Sequence, residues 1–193
     1  MTDGLNPEPK RLSNKPAAQG EKRLASDHDR PPAVALRGGT AVNVSATLSP
    51  DDLARACADA MWREDEASQG LGMEIVEIKA GQATLAMTVQ PHMVNGHKIA
   101  HGGFIFTLAD SAFAFACNSH NERAVAAQGA ITFVRPGKLG DRLVATAREI
   151  SRSGRSGIYD VRVTADEVVI AEFRGHSRTI GGALVPPAGP QQD

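Results

Sequence analysis

Apolar residues recur at helical spacing from residue 50 onward, where Leu53, Ala56, Cys57, Ala60 and Met61 fall three or four apart. Ser49 is placed to cap this helix, Pro50 suits its first position, and Asp51 and Asp52 complement the positive end of its dipole. Around Gly70 the period changes. The runs LGMEIVEIK (71–79) and QATLAMTVQ (82–90) read as strands, joined as a hairpin through Ala80-Gly81. Pro91 closes the second strand and opens a loop carrying Asn95 and His97. From Gly103 to Ser119 the chain is apolar almost continuously, which predicts a helix buried in a domain core. At 1.5 Å per residue it would be roughly 25 Å long. Its alanines, Ala109, Ala112, Ala114 and Ala116, let a neighbouring element approach closely. Four strand-like runs follow without another helix: 125–134, 142–150, 157–164 and 168–176. Turns are expected at Gly140-Asp141, Ser153-Gly154 and Asp166-Glu167. Helix, two strands, buried helix and four strands make an α+β order, best satisfied by an antiparallel sheet curled around one long central helix.

The chain ends read differently. Residues 1–47 contain Pro7, Pro9, Pro16, Pro31 and Pro32, charges of both signs and no hydrophobic period. A disordered tail is expected there, with too little apolar surface to offset the entropy of ordering. A dispensable extension, or a start codon assigned too far upstream, is favoured over a regulatory arm. Residues 184–193 are expected to form a second disordered tail, leaving 48–183 as the folded domain. At 193 residues and 41% hydrophobic content, the chain has room for one domain plus such an extension. Its formal net charge of -1 argues against a nucleic-acid partner. Cys57 and Cys117 both sit in apolar helical contexts, which suits buried thiols in a reducing compartment. No segment approaches the roughly 20 apolar residues needed to cross a bilayer. The first residues also lack the apolar region of a signal peptide, so no membrane contact and a cytoplasmic location are expected.

Candidate chemistry concentrates in VNGHKIAHGGFIFTLAD, residues 94–110. Gly102 and Gly103 fall at the start of the central helix, where backbone N–H groups lack intrahelical partners and can meet an anion or a polarised carbonyl. Asp110 is the only acid in that helix, and an ionised carboxylate among Leu108, Ala109, Ala112 and Phe113 is costly without a partner or a task. Together these features suggest hydrolysis. Asp110 lies eight residues past Gly102, about 12 Å along a straight helix, so one scissile carbonyl cannot touch both groups of a single chain. If both act on one bond, they come from different subunits of a symmetric dimer. His97 and His101 are four apart, with His92 and Asp110 nearby, but the flanking glycines indicate a loop and no further ligand motif follows. No metal and no cofactor are expected. His101 is better suited to orienting the turn through its ring nitrogens. Asn95 either bonds the reacting water or holds the turn itself. There is no Gly-x-Ser-x-Gly elbow and no phosphate-binding GxxxxGK[ST] loop. Phe104, Phe113 and Phe115 are at a spacing that fits core better than an aromatic pocket.

Several ordered motifs carry a family likeness: Met93-Val94-Asn95-Gly96-His97, His101-Gly102-Gly103, Phe106-Thr107-Leu108-Ala109-Asp110, the run 112–119, Phe133-Val134-Arg135-Pro136-Gly137 and Phe173-Arg174-Gly175. On these, from about Ala67 to Gly182, the chain resembles the PaaI-type thioesterases of the hotdog-fold superfamily, acyl-CoA hydrolases associated with phenylacetate degradation. The resemblance implies a hotdog fold and hydrolysis of (hydroxy)phenylacetyl-CoA or a similar aryl or medium-chain acyl-CoA. It implies that Asp110 is the catalytic general base or nucleophile, that the Gly102 amide polarises the thioester carbonyl, that His101 supports the turn, and that Asn95 positions water or thioester. Substrate contacts are then expected at Gly103, at Gln128, and at Arg135 and Arg155 toward the CoA phosphates. Ala126 and Ala127 stand where some relatives carry Ser or Thr. The resemblance further implies homodimers or homotetramers with sites at the subunit interface. Two other readings stay open: a hotdog acyl-thioester dehydratase, disfavoured because His101 precedes the helix bearing Asp110, and a non-catalytic acyl-CoA binding module.

Overall fold

The computed structural model describes residues 48–186. Helix α1 (Pro50–Trp62) begins as the sequence predicts: the Ser49 hydroxyl accepts the Asp52 N–H, and Pro50 occupies the first turn. A short helix that the hydrophobic period did not predict, α2 (Glu66–Gly70), follows, with the Asp65 carboxylate accepting the Ser68 N–H at 2.9 Å. Strands β1 (Glu74–Lys79) and β2 (Gln82–Thr88) form the expected hairpin. Its turn is tied to the helices: Asp51 accepts the Ala80 N–H at 3.0 Å and the Ser119 hydroxyl accepts the Gly81 N–H at 2.7 Å. A single 3-10 turn, Pro91–Met93, leads into the loop before the long helix α3 (Gly102–Cys117). Four strands complete the domain: β3 (Ala124–Phe133), β4 (Arg142–Ser153), β5 (Ser156–Ala165) and β6 (Val168–Thr179).

The six strands make one antiparallel sheet in the order β1-β2-β4-β5-β6-β3. Alternation along each strand sends one set of side chains toward α3. Leu85 and Met87 of β2, Ala145 and Ala147 of β4, Val161 and Val163 of β5, and Ala171 and Phe173 of β6 form one core with Leu108, Ala112, Phe113 and Ala116 of α3. Small residues on both sides let helix and sheet approach closely. Gly175 shows the tightness: a Cβ there would stand 2.8 Å from the Phe113 ring. Phe113 and Phe115 are core, as their spacing predicts.

The two sheet edges differ. Edge strand β1 carries Glu74, Glu77 and Lys79 and has a register break between Ile75 and Glu77, devices that discourage further pairing. Edge strand β3 has no charged residue over ten positions and is exposed along most of its length, with Val125 and Phe133 open.

The expected tail at 1–47 and residues 187–193 of the expected C-terminal tail lie outside the described residues. Leu184 and Val185 both donate their N–H groups to Asn121 Oδ1 at 2.9 Å, and Asn121 Nδ2 donates to the Val185 carbonyl, so fixed structure continues past residue 183. No helix among the described residues is long and apolar enough to cross a membrane.

Candidate active site

The loop before α3 is organised by Asn95. Its Oδ1 accepts the His97 N–H at 2.9 Å and the Ile99 N–H at 3.4 Å, while its own N–H donates to the Ile99 carbonyl. This Asx-type turn carries Lys98 at φ 63. The turn-holding role of Asn95 is thus visible in the geometry, and it employs only the oxygen of the side chain. His101 then serves as N-cap of α3 in extended conformation, φ -67 and ψ 131. Its Nδ1 accepts the Gly103 N–H at 2.9 Å, which fixes the neutral tautomer with the proton on Nε2. His101 therefore consumes the Gly103 amide. Among the described residues no acceptor meets the Gly102 N–H, which stays available at the positive end of a sixteen-residue helix.

Around this turn the aromatic rings are ordered. Phe104 meets His92 edge-on at 6.0 Å and His101 edge-on at 6.3 Å between centroids. Among the described residues no group of three or more His, Cys, Asp or Glu side chains is arranged to hold a metal ion.

Although α3 is apolar nearly all round, one stripe of it is not covered by the other described residues. Gly103, Thr107, Asp110 and Ala114 follow one another at helical spacing and are all at least partly exposed, whereas Leu108, Ala109, Ala112 and Phe113 are buried. The Thr107 hydroxyl is bonded back to the Gly103 carbonyl at 2.8 Å. Asp110 differs from every other half-buried acid described. Asp51, Asp65, Asp141, Glu149, Asp160 and Glu172 each accept a hydrogen bond from a named partner. No hydrogen bond or ion pair among the described residues reaches Asp110. Burial pushes its carboxyl above the ordinary aspartate range. A carboxylate placed this way is poised to take a proton.

Three expected substrate contacts are not brought together in the protomer. Gln128 pairs with His176 across β3 and β6, and the neighbouring pairs Ala130–Arg174 and Thr132–Glu172 belong to the outer sheet face. The inner face is taken by Gly129, which faces Phe106 and Phe173. A register break between Ala126 and Gln128 produces this reversal, so Gln128 lies on the side of the sheet away from Asp110. Arg135 donates to the Val169 carbonyl and Arg155 to the Thr179 carbonyl. Ala124 pairs with Thr179 and Phe133 with Ala171, so these arginines stand at opposite ends of β3, on the order of 30 Å apart at 3.3 Å per residue. Phe133, which the sequence reading names only within a family motif and not as a site residue, does reach the turn: its ring rests on Gly102. The contact is far apart in sequence and has no local signal. Cys117 is buried and its thiol is pushed up to about 12, chiefly by desolvation, which leaves it inert.

A capped helix start with an amide, and two turns further on a carboxylate, both without partners among the described residues, inside a curled antiparallel sheet, define a recognisable class. A thioesterase superfamily model matches residues 97–171. The chain is 44% identical over 128 residues to the acyl-coenzyme A thioesterase PaaI of Escherichia coli, an alignment covering 66% of this chain and 91% of that protein. It is 32% identical over 126 residues to a putative esterase of Archaeoglobus fulgidus, covering 64% and 82%. The solved structure of Escherichia coli PaaI, from the phenylacetic acid degradation operon, superposes with a TM-score of 0.69 at 42% identity, covering 70% of this chain and 99% of that one. A Streptococcus mutans protein solved with bound acetyl-CoA superposes with a TM-score of 0.56 at 28% identity, covering 57% and 90%.

The chain belongs to the thioesterase superfamily and has its hotdog fold. Within that superfamily it is similar to the PaaI acyl-CoA thioesterases, and it is a thioester hydrolase.

Proposed function

We propose that the protein hydrolyses acyl-CoA thioesters, with (hydroxy)phenylacetyl-CoA or a similar aryl or medium-chain acyl-CoA as substrate, at sites shared between two subunits. The observation that carries this reading is Asp110: half-buried, without a partner among the described residues, raised in pKa, and on the open stripe of α3. In this account the free Gly102 N–H donates to the thioester carbonyl oxygen and stabilises the negative charge that develops there. The Asp110 of the partner subunit takes a proton from water or attacks the carbonyl carbon itself. In the first route the deprotonated water adds to the carbonyl carbon, the C–S bond breaks and the proton passes to the leaving thiolate. In the second the C–S bond breaks to leave an acyl–carboxylate anhydride, which water then hydrolyses. Both routes release CoA as the thiol and the free acid. Asn95 keeps its Nδ2 group for water or thioester while its oxygen holds the turn.

Two features support the shared site. Gly102 and Asp110 are on one continuous helix, about 12 Å apart along it. The uncharged edge strand β3 and the open stripe of α3 are both left for a second copy to cover. Pairing β3 with its counterpart about a two-fold axis would bring the N-terminal end of one strand beside the C-terminal end of the other. The partner subunit's Arg155 would then lie toward Arg135, so that the two arginines serve one set of CoA phosphates. Further association of dimers into a tetramer belongs to the same proposal. The cytoplasmic location is supported by two buried free cysteines.

The test is release of free thiol from a panel of aryl-acetyl and medium-chain acyl-CoAs. Turnover on at least one ester supports the reading. Binding without thiol release would instead favour an acyl-CoA binding module, and loss of water from a hydroxyacyl-CoA a dehydratase.

A further inference from the structure

Gly102 has a reason to be glycine that its backbone does not supply, since it is not among the residues with positive φ. The reason is steric. A Cβ built on Gly102 would stand 2.8 Å from Phe133 Cζ, 3.2 Å from Cε2 and 3.3 Å from Cε1. Those three atoms are the tip of the ring, so Phe133 meets the Cα of Gly102 end-on, on the side a Cβ would occupy. The ring is no part of the core, because Phe133 is the last residue of β3 and is 50% exposed. Yet both sides of the contact are anchored. The Ala100 N–H donates to the Gly137 carbonyl at 2.9 Å, the His101 N–H to the Met93 carbonyl at 2.8 Å, and the Val134 N–H to the Ile170 carbonyl at 2.7 Å. The loop entering α3 and the chain leaving β3 therefore form one frame, in which ring tip and free amide are both held.

We propose that Phe133 is a positioning residue for the Gly102 amide. Its ring tip, braced from the end of β3, fixes the direction of that N–H and walls one side of the space that the thioester carbonyl enters. The inference rests on the reading of Gly102 as the oxyanion donor. The ring acts through the Gly102 Cα it presses on, which carries the N–H, so its loss is felt in turnover more than in binding.

The test measures kcat and KM, on an acyl-CoA that the wild type hydrolyses, for Phe133→Ala, Phe133→Tyr, Gly102→Ala and the Gly102→Ala/Phe133→Ala double variant. Phe133→Ala and Gly102→Ala each lower kcat about 10–100-fold with KM within about threefold, because both displace a positioned donor. The double variant falls no more than about twofold below the lower single variant, because without the Phe133 ring the Cβ added by Gly102→Ala has nothing to strike. Phe133→Tyr keeps the apolar ring but adds a hydroxyl at Cζ, the atom already in contact, and loses at least about tenfold in kcat. Circular dichroism and gel filtration report folded, assembled protein in each case. Unchanged kcat in the Phe133 variants, additive losses in the double variant, or a loss that tracks loss of folded protein overturns the inference. A wild type that releases no CoA from any ester overturns the underlying reading and this inference with it. An active wild type with indifferent Phe133 variants overturns this inference alone.

Discussion

Replacing Asp110 by Asn exchanges one carboxylate oxygen for an amide nitrogen and removes the single charge of α3. The shape of the side chain is nearly kept, and no donor loses its acceptor, because no hydrogen bond among the described residues reaches that carboxylate. Stability should therefore change little, within the roughly 0.5 kcal/mol usual for substitutions that break no specific contact. The sign follows from the direction of the pKa. A carboxyl raised by burial in the folded state contributes stability below its unfolded value of 3.8, and that contribution is lost as pH rises through the folded value. At neutral pH the ionised group thus weighs against folding, and the Asn variant should melt no lower than the wild type. Activity should behave oppositely. Without a group able to take a proton, hydrolysis should fall by about 10²–10⁴, or roughly 3–5 kcal/mol of barrier at 1.36 kcal/mol per tenfold. The wild-type rate should also decline as pH falls through the raised Asp110 pKa, an acid limb above the ordinary aspartate range and absent from the variant's residual rate. Thiol release followed from acidic to neutral pH, beside thermal melts of both proteins, measures all of this. Turnover within a few-fold of wild type in Asp110→Asn, or a loss of activity that merely follows unfolding, would refute the reasoning.

Other variants test the turn and the packing. His101→Ala should cost about 1 kcal/mol by removing the cap on the Gly103 N–H and should lower turnover, whereas His101→Asn, which keeps a capping oxygen, should recover most of the stability in thermal melts. Asn95→Asp retains the oxygen that receives the His97 and Ile99 N–H groups, so its melting temperature should hold; a loss of kcat would then belong to the missing Nδ2 group, and unchanged kcat would leave Asn95 as a turn residue only. Gly175→Ala forces a Cβ to within 2.8 Å of the buried Phe113 ring and should destabilise by about 1–3 kcal/mol in denaturant titration.

Much of the architecture was legible because it rests on local period and punctuation. The start of α1 follows from Ser49 and Pro50, the hairpin from Ala80-Gly81, and the buried helix from an apolar run too long for a strand. Helix α2 escaped because five residues are too few to show a hydrophobic period, although Asp65 three residues before Ser68 is a readable cap. Helix α3 starts at Gly102, one residue before the expected position, because His101 caps it with a side chain not ordinarily counted as a cap. The candidate site divides along the same line. Asp110, Gly102, His101 and Asn95 sit on one short segment, and their order along a loop and a helix can be worked out from spacing. The face that Gln128 takes was not legible, because a single-residue register break reverses the face of a strand and nothing in an Ala-Ala-Gln-Gly sequence announces it. The separation of Arg135 from Arg155 and the meeting of Phe133 with Gly102 are products of sheet pairing between distant segments, which a residue-by-residue reading does not contain.

The central claim is that each site takes its amide from one chain and its carboxylate from the other, and mixed dimers test it most directly. Gly102→Pro removes the N–H at a first helical position whose backbone suits proline, although its ring must also displace the Phe133 tip, and Asp110→Asn removes the base. Each variant alone should be inactive in both of its sites. When the two are co-expressed and exchange freely, half the dimers are mixed and each has one site with Gly102 from one chain and Asp110 from the other. Activity should then recover to about a quarter of wild type. Recovery near that level supports the shared site; mixed dimers no more active than their parents would contradict it.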